Sequence, residues 1–473
     1  MSEGNAEKEI GETSSANSKT SSVYTEDDVV RREFVSQLRG LIEAGNENWL
    51  SDLIEPLHES ELGDVLEALD ADERSRLVQL TGDRFDFASL TEVDEAVRLQ
   101  IVNELPNALV AEAVQELDSD DAVFILEDME EEDQEEILAN IPSEERLRLK
   151  RSLDYPEETA GRRMQTEFIA VPPYWSVGQT IDFMREDEDL PDRFHEIFVI
   201  DASYKLSGYV ALDRLLRTKR NVKIDDITED NVYPIDANVD QEEAARIFEQ
   251  YDLLSAAVID DAERLVGVLT IDDMVDVIHQ EHDEDIKRLA GVGDEELSDS
   301  VLDITKSRFT WLFLNLITAI LASVVIGLFD ATIEQMVALA VLMPIVASMG
   351  GNAGTQSMTV AVRALATKDI DSYNMFRTIR REFLVGILNG IFFAVLIGLI
   401  AALWFANSSL GLIIGAAMII NMICAALSGI LIPIGLDKLD VDPAIASSVF
   451  VTTVTDVVGF FAFLWLAAWW FGL

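Results

Sequence analysis

Apolar positions divide this chain into three regions with different periods. Between residues 25 and 153, apolar residues recur at helical spacing in short segments separated by polar breaks. Between residues 161 and 278, short β-branched segments alternate with helical ones. From about residue 310 onward, apolar stretches are long enough to cross a hydrocarbon layer of roughly 30 Å as helices. The pattern therefore predicts soluble domains followed by an α-helical membrane bundle.

Five spans are predicted, at residues 310–329, 333–366, 383–405, 410–434 and 443–473. The second is longer than a crossing requires and contains Pro344 and then GGNAGTQS, residues 350–357. A helix broken there would free backbone carbonyls, which a membrane tolerates only where they line a cavity or pack against protein. Close helix packing through small residues is the alternative. Polar residues at helical spacing favour a pore lining, for which the candidates are Gly351, Asn352, Gly354, Thr355, Gln356 and Asn421.

The last predicted span carries one ionisable residue, Asp456, near its midpoint. A charge there costs roughly 2.5 to 3.5 kcal/mol on insertion scales, so it should face the bundle interior or water. An ion or proton pathway is the favoured interpretation, with a cation as the partner of the carboxylate. The alternative is a buried carboxylate held by the hydroxyls of Thr452, Thr453 and Thr455.

The N-terminal region predicts an α-helical solenoid of helices about ten residues long. Its polar breaks have capping chemistry, as where Asp70 precedes Glu73. Residues 1–24 are polar and are expected to form a disordered tail rather than a signal peptide.

Residues 195–216 and 254–275 repeat one another: Val199, Gly208 and Asp213 align with Val258, Gly267 and Asp272. Each unit predicts a strand, a turn, a second strand and an Asp that caps a helix. This α/β repeat resembles a tandem pair of CBS domains, which are regulatory modules for ligands such as adenosine nucleotides or cations. A nucleotide at the CBS pair is therefore an expected partner.

The formal net charge is -52, and about -50 of it lies in the first 307 residues. Such acidity excludes binding to nucleic acid and attracts cations. Cation sensing is one explanation, and a halophilic host with a salty cytoplasm is the other, to which we assign most of the charge. The single cysteine, Cys424, excludes a disulfide framework.

The helix that follows the repeat, at about residues 279–307 with its linker, is loaded with carboxylates at spacings of three and four. Because like charges on one helix face repel, cations are expected to stabilise it. Lys and Arg flank the spans on one side only, so the N-terminal domains should be cytoplasmic and the C-terminus outside.

Taken together, these features resemble the MgtE family of magnesium channels. GGNAGTQ, then RALATKD at 363–369, Asp442 followed by Pro443, and Asp456 after Thr455 carry the resemblance. After the expected disordered tail (1–24), it implies an acidic helical N domain (25–155), a tandem CBS pair (156–278), an acidic connecting helix with its linker (279–307) and a transmembrane domain of five helices (308–473). It further implies a homodimer in the cell membrane that carries Mg²⁺ into the cytosol.

The resemblance also implies roles for individual carboxylates. Asp456 would bind the permeating ion, and intracellular Mg²⁺ bound between cytoplasmic domains would close the pore. The implied sensing carboxylates are Asp240, Glu242, Asp252, Asp273, Asp276, Glu281, Glu284, Asp285 and Asp442. In the N domain Asp120 matches, but a second expected carboxylate falls near the apolar Phe124.

Three other functions compete with this interpretation. A channel of the same build could admit Mn²⁺ or Co²⁺, since oxygen ligands do not exclude them. A non-conducting membrane sensor would use the CBS pair alone. An enzyme is not expected, because the chain has no phosphate-binding glycine loop, and because an intramembrane enzyme would need several convergent His, Asp or Ser residues whereas Asp456 is the only Asp within the predicted spans.

Overall fold

The computed structural model describes residues 23–25, 29–186, 190–191, 193–293, 301–370, 373–439 and 441–472. Described residues up to Ile278 form one compact unit, and those from His279 onward form a second. Most of the predicted tail lies outside the described residues. Val23, which the prediction placed in that tail, is fully buried in the core of the N domain.

The N domain is a stack of short helices whose ends are fixed by local capping. Asp70 and Glu73 form the predicted capping box, and the backbone N–H of Asp70 donates to Glu73 Oε2 at 2.9 Å. Helices two apart in sequence contact one another, as expected of a solenoid, and share one apolar core. The helices are α1 (Arg32–Ala44), α2 (Glu47–Ile54), α3 (Glu59–Glu67), α4 (Ala71–Thr81), α5 (Glu95–Glu104), α6 (Asn107–Glu116), α7 (Ser119–Glu127), α8 (Glu131–Asn140) and α9 (Ser143–Leu153), with 3₁₀ turns at Gly82–Arg84 and Phe87–Leu90.

Two three-stranded sheets follow, and they repeat one another in order and register. In each, a short parallel strand precedes an antiparallel pair, and Val199 pairs with Gly208 as Val258 pairs with Gly267. A Cβ on Gly208 would lie 2.7 Å from Glu229 O, and one on Gly267 would lie 2.9 Å from Gln165 O, so both strands run against crossing backbone. The elements are α10 (Ala160–Arg163), β1 (Ala170–Val171), α11 (Val177–Glu186), β2 (Glu196–Ile200), β3 (Leu206–Ala211), α12 (Leu212–Arg217), β4 (Ile235–Asp236), α13 (Gln241–Tyr251), β5 (Ser255–Ile259), β6 (Leu265–Thr270) and α14 (Ile271–Leu289).

One detail of the repeat is wrong in the prediction. Asp213 and Asp272 do not cap their helices; they lie in the first turns of α12 and α14, because those helices begin two residues earlier than expected. A carboxylate in the first turn still interacts favourably with the helix dipole.

The second unit contains five helices that are long and apolar enough to span a membrane, at Ile304–Gly327, Ala338–Ala366, Met375–Trp404, Ser408–Asp437 and Ser448–Phe471. They belong to α15 (Val301–Gly327), α17 (Ala338–Ala366), α18 (Met375–Trp404), α19 (Ser408–Asp437) and α20 (Pro443–Phe471), and a short α16 (Asp330–Gln335) precedes α17. The prediction of a break within the second span is wrong. α17 is continuous through Pro344 and the glycines, and the excess length is taken up by α16.

Close backbone approach holds α18 and α19 together. A Cβ on Gly398 would lie 2.8 Å from Gly411 O, and one on Gly390 would lie 3.1 Å from the Ile419 Cα. Small residues therefore bring these two helices to within a distance that larger side chains would forbid. The predicted fold class, an α-helical N domain with an α/β CBS pair and five membrane helices, is confirmed.

Candidate functional site: carboxylates and a polar helix face

The segment GGNAGTQS gives α17 two different faces. Gly350 and Gly354 point into the bundle, where added Cβ atoms would lie 2.1 Å from Asn421 Nδ2 and 2.5 Å from Val451 Cγ1. On the other face lie the exposed side chains of Asn352, Thr355, Gln356 and Thr359, and a Cβ on Gly351 would meet nothing within 4 Å. The packing alternative therefore explains the buried glycines, whereas the exposed polar residues need water or another protein surface beside them.

Asn421 is fully buried on α19, so its predicted position on a pore lining is not supported. Its Nδ2 donates to Val346 O at 2.8 Å, and its side chain fills the space between Gly350 and Gly459. Its Oδ1 has no hydrogen-bond partner within the described protein. Gly354 is buried as well, which leaves Gly351, Asn352, Thr355 and Gln356 as the candidates that remain accessible.

Asp456 lies partly exposed on α20, one turn before Gly459. Two of the three hydroxyls offered as alternative partners donate to backbone carbonyls instead: Thr453 Oγ1 donates to Val449 O at 2.6 Å, and Thr455 Oγ1 donates to Thr452 O at 3.0 Å. The side chain of the third, Thr452, is exposed. Among the described residues no basic side chain forms an ion pair with Asp456. The carboxylate is thus available to a cation.

A second carboxylate on a spanning helix was missed by the sequence reasoning. Glu382 lies about two turns after the start of α18. Its Oε2 accepts a hydrogen bond of 3.0 Å from Ser357 Oγ, and its Oε1 lies 3.5 Å from Arg381 Nε. The apolar run that begins at Phe383 placed Glu382 just outside the predicted span. The pair of arginines before it was the available signal that the helix continued toward the interface.

An acidic cluster forms within the first unit where α7 approaches α14. Burial, reinforced by the charge of Asp273, raises the pKa of Asp121 to about 7 and that of Asp120 well above its ordinary value. Burial also raises the pKa of Asp273 to about 6, although Thr270 donates a hydrogen bond to it. Burial raises the pKa of Glu92 too, with Asp276 adding to the effect. The structure thus brings the predicted Asp273 near Asp120 and the predicted Asp276 near Glu92. Glu92 and Asp121 are two carboxylates that the sequence did not single out.

Phe124 has a definite role in place of the expected carboxylate. Its ring lies 4.3 Å from the Arg98 guanidinium carbon and 5.0 Å from that of Arg163. Glu127, one turn later on α7, forms ion pairs of 3.2 Å with both Arg162 and Arg163, and all three side chains are largely buried. Cation–π contacts and buried ion pairs therefore join the N domain to the start of the CBS region here.

The carboxylates of the second CBS unit are separated rather than grouped. Asp240 caps α13 by accepting from the Glu242 N–H at 2.9 Å, while Asp252 ends the same helix in a left-handed conformation with φ of 53°. An 11-residue helix is about 16 Å long, so Asp240 and Asp252 do not share an ion within one chain.

A third group of charges lies at one end of the second unit, around the end of α14. Arg288 Nη1 donates to Asp442 Oδ2 at 2.8 Å and the same guanidinium pairs with Glu284. Burial and then the charge of Asp442 raise the pKa of Asp285. Glu281, the remaining predicted ligand of α14, is partly buried two turns before Arg288. Within the described ranges, no three metal-ligating side chains converge tightly enough to form a complete ion shell.

Comparison with known proteins agrees with this architecture. Three family models match the chain: a divalent cation transporter domain at residues 343–466, an MgtE intracellular N domain at 57–158 and a CBS domain at 224–280. These matches define a membrane transporter of divalent cations that carries an MgtE N domain and a CBS domain.

Curated relatives identify the family. The magnesium transporter MgtE of Bacillus subtilis is 33% identical over 377 residues, covering 80% of this chain and 84% of that protein. That of Enterococcus faecalis is 35% identical over 315 residues, covering 67% and 70%. The chain belongs to the MgtE family and is a multi-pass membrane protein.

Solved structures of soluble regions are also similar. The soluble part of a magnesium transporter is 25% identical with a TM-score of 0.46, covering 53% of this chain and 98% of that one. The cytosolic domain of the Mg²⁺ channel MgtE in complex with ATP is 24% identical with a TM-score of 0.48, covering 51% and 99%.

Proposed function

We propose that this chain is a homodimeric channel that carries Mg²⁺ across the cell membrane into the cytosol. Two observations together carry the proposal: Asp456 forms no ion pair with any basic side chain that the structure describes, and the exposed face of α17 bears amide and hydroxyl groups. The Asp456 carboxylate and the polar face of α17 would each be costly to expose to lipid, and each offers oxygen or amide groups that suit a hydrated ion. The named relatives, which are magnesium transporters, support Mg²⁺ as the ion.

The chemistry of the exposed groups fits Mg²⁺ in a particular way. Mg²⁺ dehydrates reluctantly and usually retains several waters, so a wide polar passage serves it better than a tight cage of protein ligands. Two copies of Asp456, one from each chain of a dimer, would supply the two negative charges that balance one divalent ion. Asn352, Thr355 and Gln356 would hydrogen-bond the waters that the ion keeps.

Cytosolic Mg²⁺ is also the proposed regulator. Asp120, Asp121 and Asp273 repel one another and are poorly solvated, so a divalent ion that neutralises them favours the compact arrangement over an open one. Asp276, Glu284, Asp285 and Asp442 are further candidates, whereas the separated Asp240 and Asp252 would need groups from elsewhere. An adenosine nucleotide at the CBS pair is proposed from the CBS match alone.

The proposed orientation has the N-terminal domains in the cytoplasm and the C-terminus outside. The connection between α17 and α18 is rich in basic residues, and with five spans it lies on the same side of the membrane as the start of α15. The short loops on the opposite side contain neither Lys nor Arg. The basic residues are Arg363, Lys368, Arg377, Arg380 and Arg381. Excess positive charge marks the cytoplasmic side of membrane proteins. In this proposal the protein acts by conduction and performs no catalysis.

Liposome flux tests the proposal directly. Purified protein in liposomes should admit Mg²⁺, and Asp456→Asn should abolish the influx while leaving the dimer intact. Glu334→Gln, which removes an exposed charge from α16, serves as the matched control and should conduct normally. Undiminished flux through Asp456→Asn would overturn the pore assignment. Equal uptake of Mn²⁺ or Co²⁺ in the same assay would favour the alternative of a broader divalent-cation channel.

A further inference from the structure

We propose that Arg288 is a built-in cation that holds the end of α14 against α20 when Mg²⁺ is absent. The inference rests on the proposed function, since it adds to the regulation of the same channel. In this proposal Arg288 is a positioning residue. Its guanidinium forms ion pairs with Glu284 and Asp442, two of the carboxylates that were expected to bind Mg²⁺, and so neutralises part of their charge when no Mg²⁺ is bound.

The guanidinium connects two helices. Glu284 and Arg288 are one turn apart on α14, whereas Asp442 caps the start of α20, where it also accepts from the Ala444 N–H at 2.7 Å. Arg288 Nη1 reaches Asp442 Oδ2 at 2.8 Å while Nη2 pairs with Glu284. The planar fork of arginine makes this double contact possible, and its charge persists at every physiological pH.

Two further contacts in the second unit fix α14 in the same place. Leu289 packs against an apolar cluster formed by residues of α17 and α20, namely Met358, Val362, Ala444 and Val451. Two residues before Glu284, His282 Nε2 lies 3.0 Å from Arg363 Nη1 on α17. The end of α14 is therefore seated by apolar packing, and Arg288 supplies its ionic contact with α20.

Charge balance explains why a cation is needed there. Glu284, Asp285 and Asp442 place three carboxylates in this region, and Arg288 lies between two of them with its side chain 27% exposed. Without it the carboxylates of α14 and α20 would repel, and α14 would separate from α20 unless Mg²⁺ took its place. Mg²⁺ at Asp442 must in turn displace Arg288, so the two cations compete for one carboxylate.

The test compares Arg288→Gln with Arg288→Lys and with Lys287→Gln in the full-length protein. Lys287→Gln makes the same change of charge one residue away and is the matched control. In Mg²⁺-free buffer, hydrogen exchange at the end of α14 should rise roughly two- to fivefold in Arg288→Gln, the range expected for a partly exposed ion pair. Arg288→Lys should restore part of the protection, and saturating Mg²⁺ should abolish the difference.

Flux gives a second readout. Mg²⁺ influx with a Mg²⁺-free cytosolic face should rise by a similar factor in Arg288→Gln, and combining it with Asp442→Asn should add little to either change alone. Unchanged exchange in Arg288→Gln, or an equal rise in Lys287→Gln, would overturn the proposal. If the wild-type protein conducts no Mg²⁺, the proposed function fails, but the exchange experiment still decides the role of Arg288.

Discussion

Neutralising Asp121 should stabilise the Mg²⁺-free protein and weaken its response to Mg²⁺. The pKa of this carboxyl is raised from 3.8 to about 7, first by burial and then by Asp273. A raised pKa means that the native state favours the protonated form. The contribution to stability is therefore fully present below pH 3.8 and is lost as the pH rises through about 7. The difference between a pKa of 3.8 and one of about 7 corresponds to at most about 4 kcal/mol of native-state stability, which is lost when the buried carboxyl is ionised.

Asparagine has nearly the same shape and no charge, so Asp121→Asn removes this penalty at every pH. We expect a gain of about 1–3 kcal/mol at pH 8, less than the limit because the amide must still be desolvated. The gain should shrink as the pH falls from 8 toward 5, since the wild-type carboxyl then takes up its proton.

Thermal unfolding and hydrogen exchange of α7 in the purified full-length protein measure this effect. With a chelator at pH 8, Asp121→Asn should unfold at a higher temperature than wild type, and added Mg²⁺ should raise that temperature less. Glu112→Gln, on an exposed position of α6, is the control and should change neither value. A variant less stable than wild type in chelator, or one with a full response to Mg²⁺, would refute the reasoning.

Two further predictions concern the part of the chain that precedes the membrane-spanning helices. Glu127→Gln leaves Arg162 and Arg163 buried without their carboxylate, so it should destabilise the N domain by about 1–3 kcal/mol and speed proteolysis after α9. The control Glu135→Gln, on the exposed face of α8, should do neither. Equal effects of the two substitutions would argue against the buried ion pairs. Removal of residues 1–291 should leave Mg²⁺ flux intact but abolish its inhibition by cytosolic Mg²⁺, and retained inhibition would locate the sensor in the membrane domain.

Local features of the sequence were enough to predict most of the fold. The capping box at Asp70 and Glu73 depends on residues three apart, and the strand pairs of the repeat depend on two copies of one pattern. Apolar length alone predicted the spans. These signals act over a few residues, so they can be read without knowing which elements meet.

The errors arose where a residue's neighbour is distant in sequence. Asn421 looked like a polar lining because nothing in its own helix shows that it faces Val346 and two glycines. Asp121 was not distinguished from the many other acidic residues, because its sequence neighbours do not show that Asp273 of α14 lies near it in the fold. Arg288 was missed because its partner Asp442 lies 154 residues away. The sequence therefore predicted which helices carry the chemistry better than it predicted which side chains meet.

The two faces of α17 have a consequence for how this segment tolerates change. Gly350 and Gly354 are constrained by volume, so larger residues there should reduce the amount of folded protein, whatever their polarity. Asn352, Thr355 and Gln356 are unconstrained by packing within the chain, so substitutions there should yield normal amounts of protein with altered conduction. In a library of variants, this short segment of α17 would thus contain two interleaved sets of sensitive positions. Selection for protein abundance would identify the buried glycines, and selection for transport would identify the exposed polar residues.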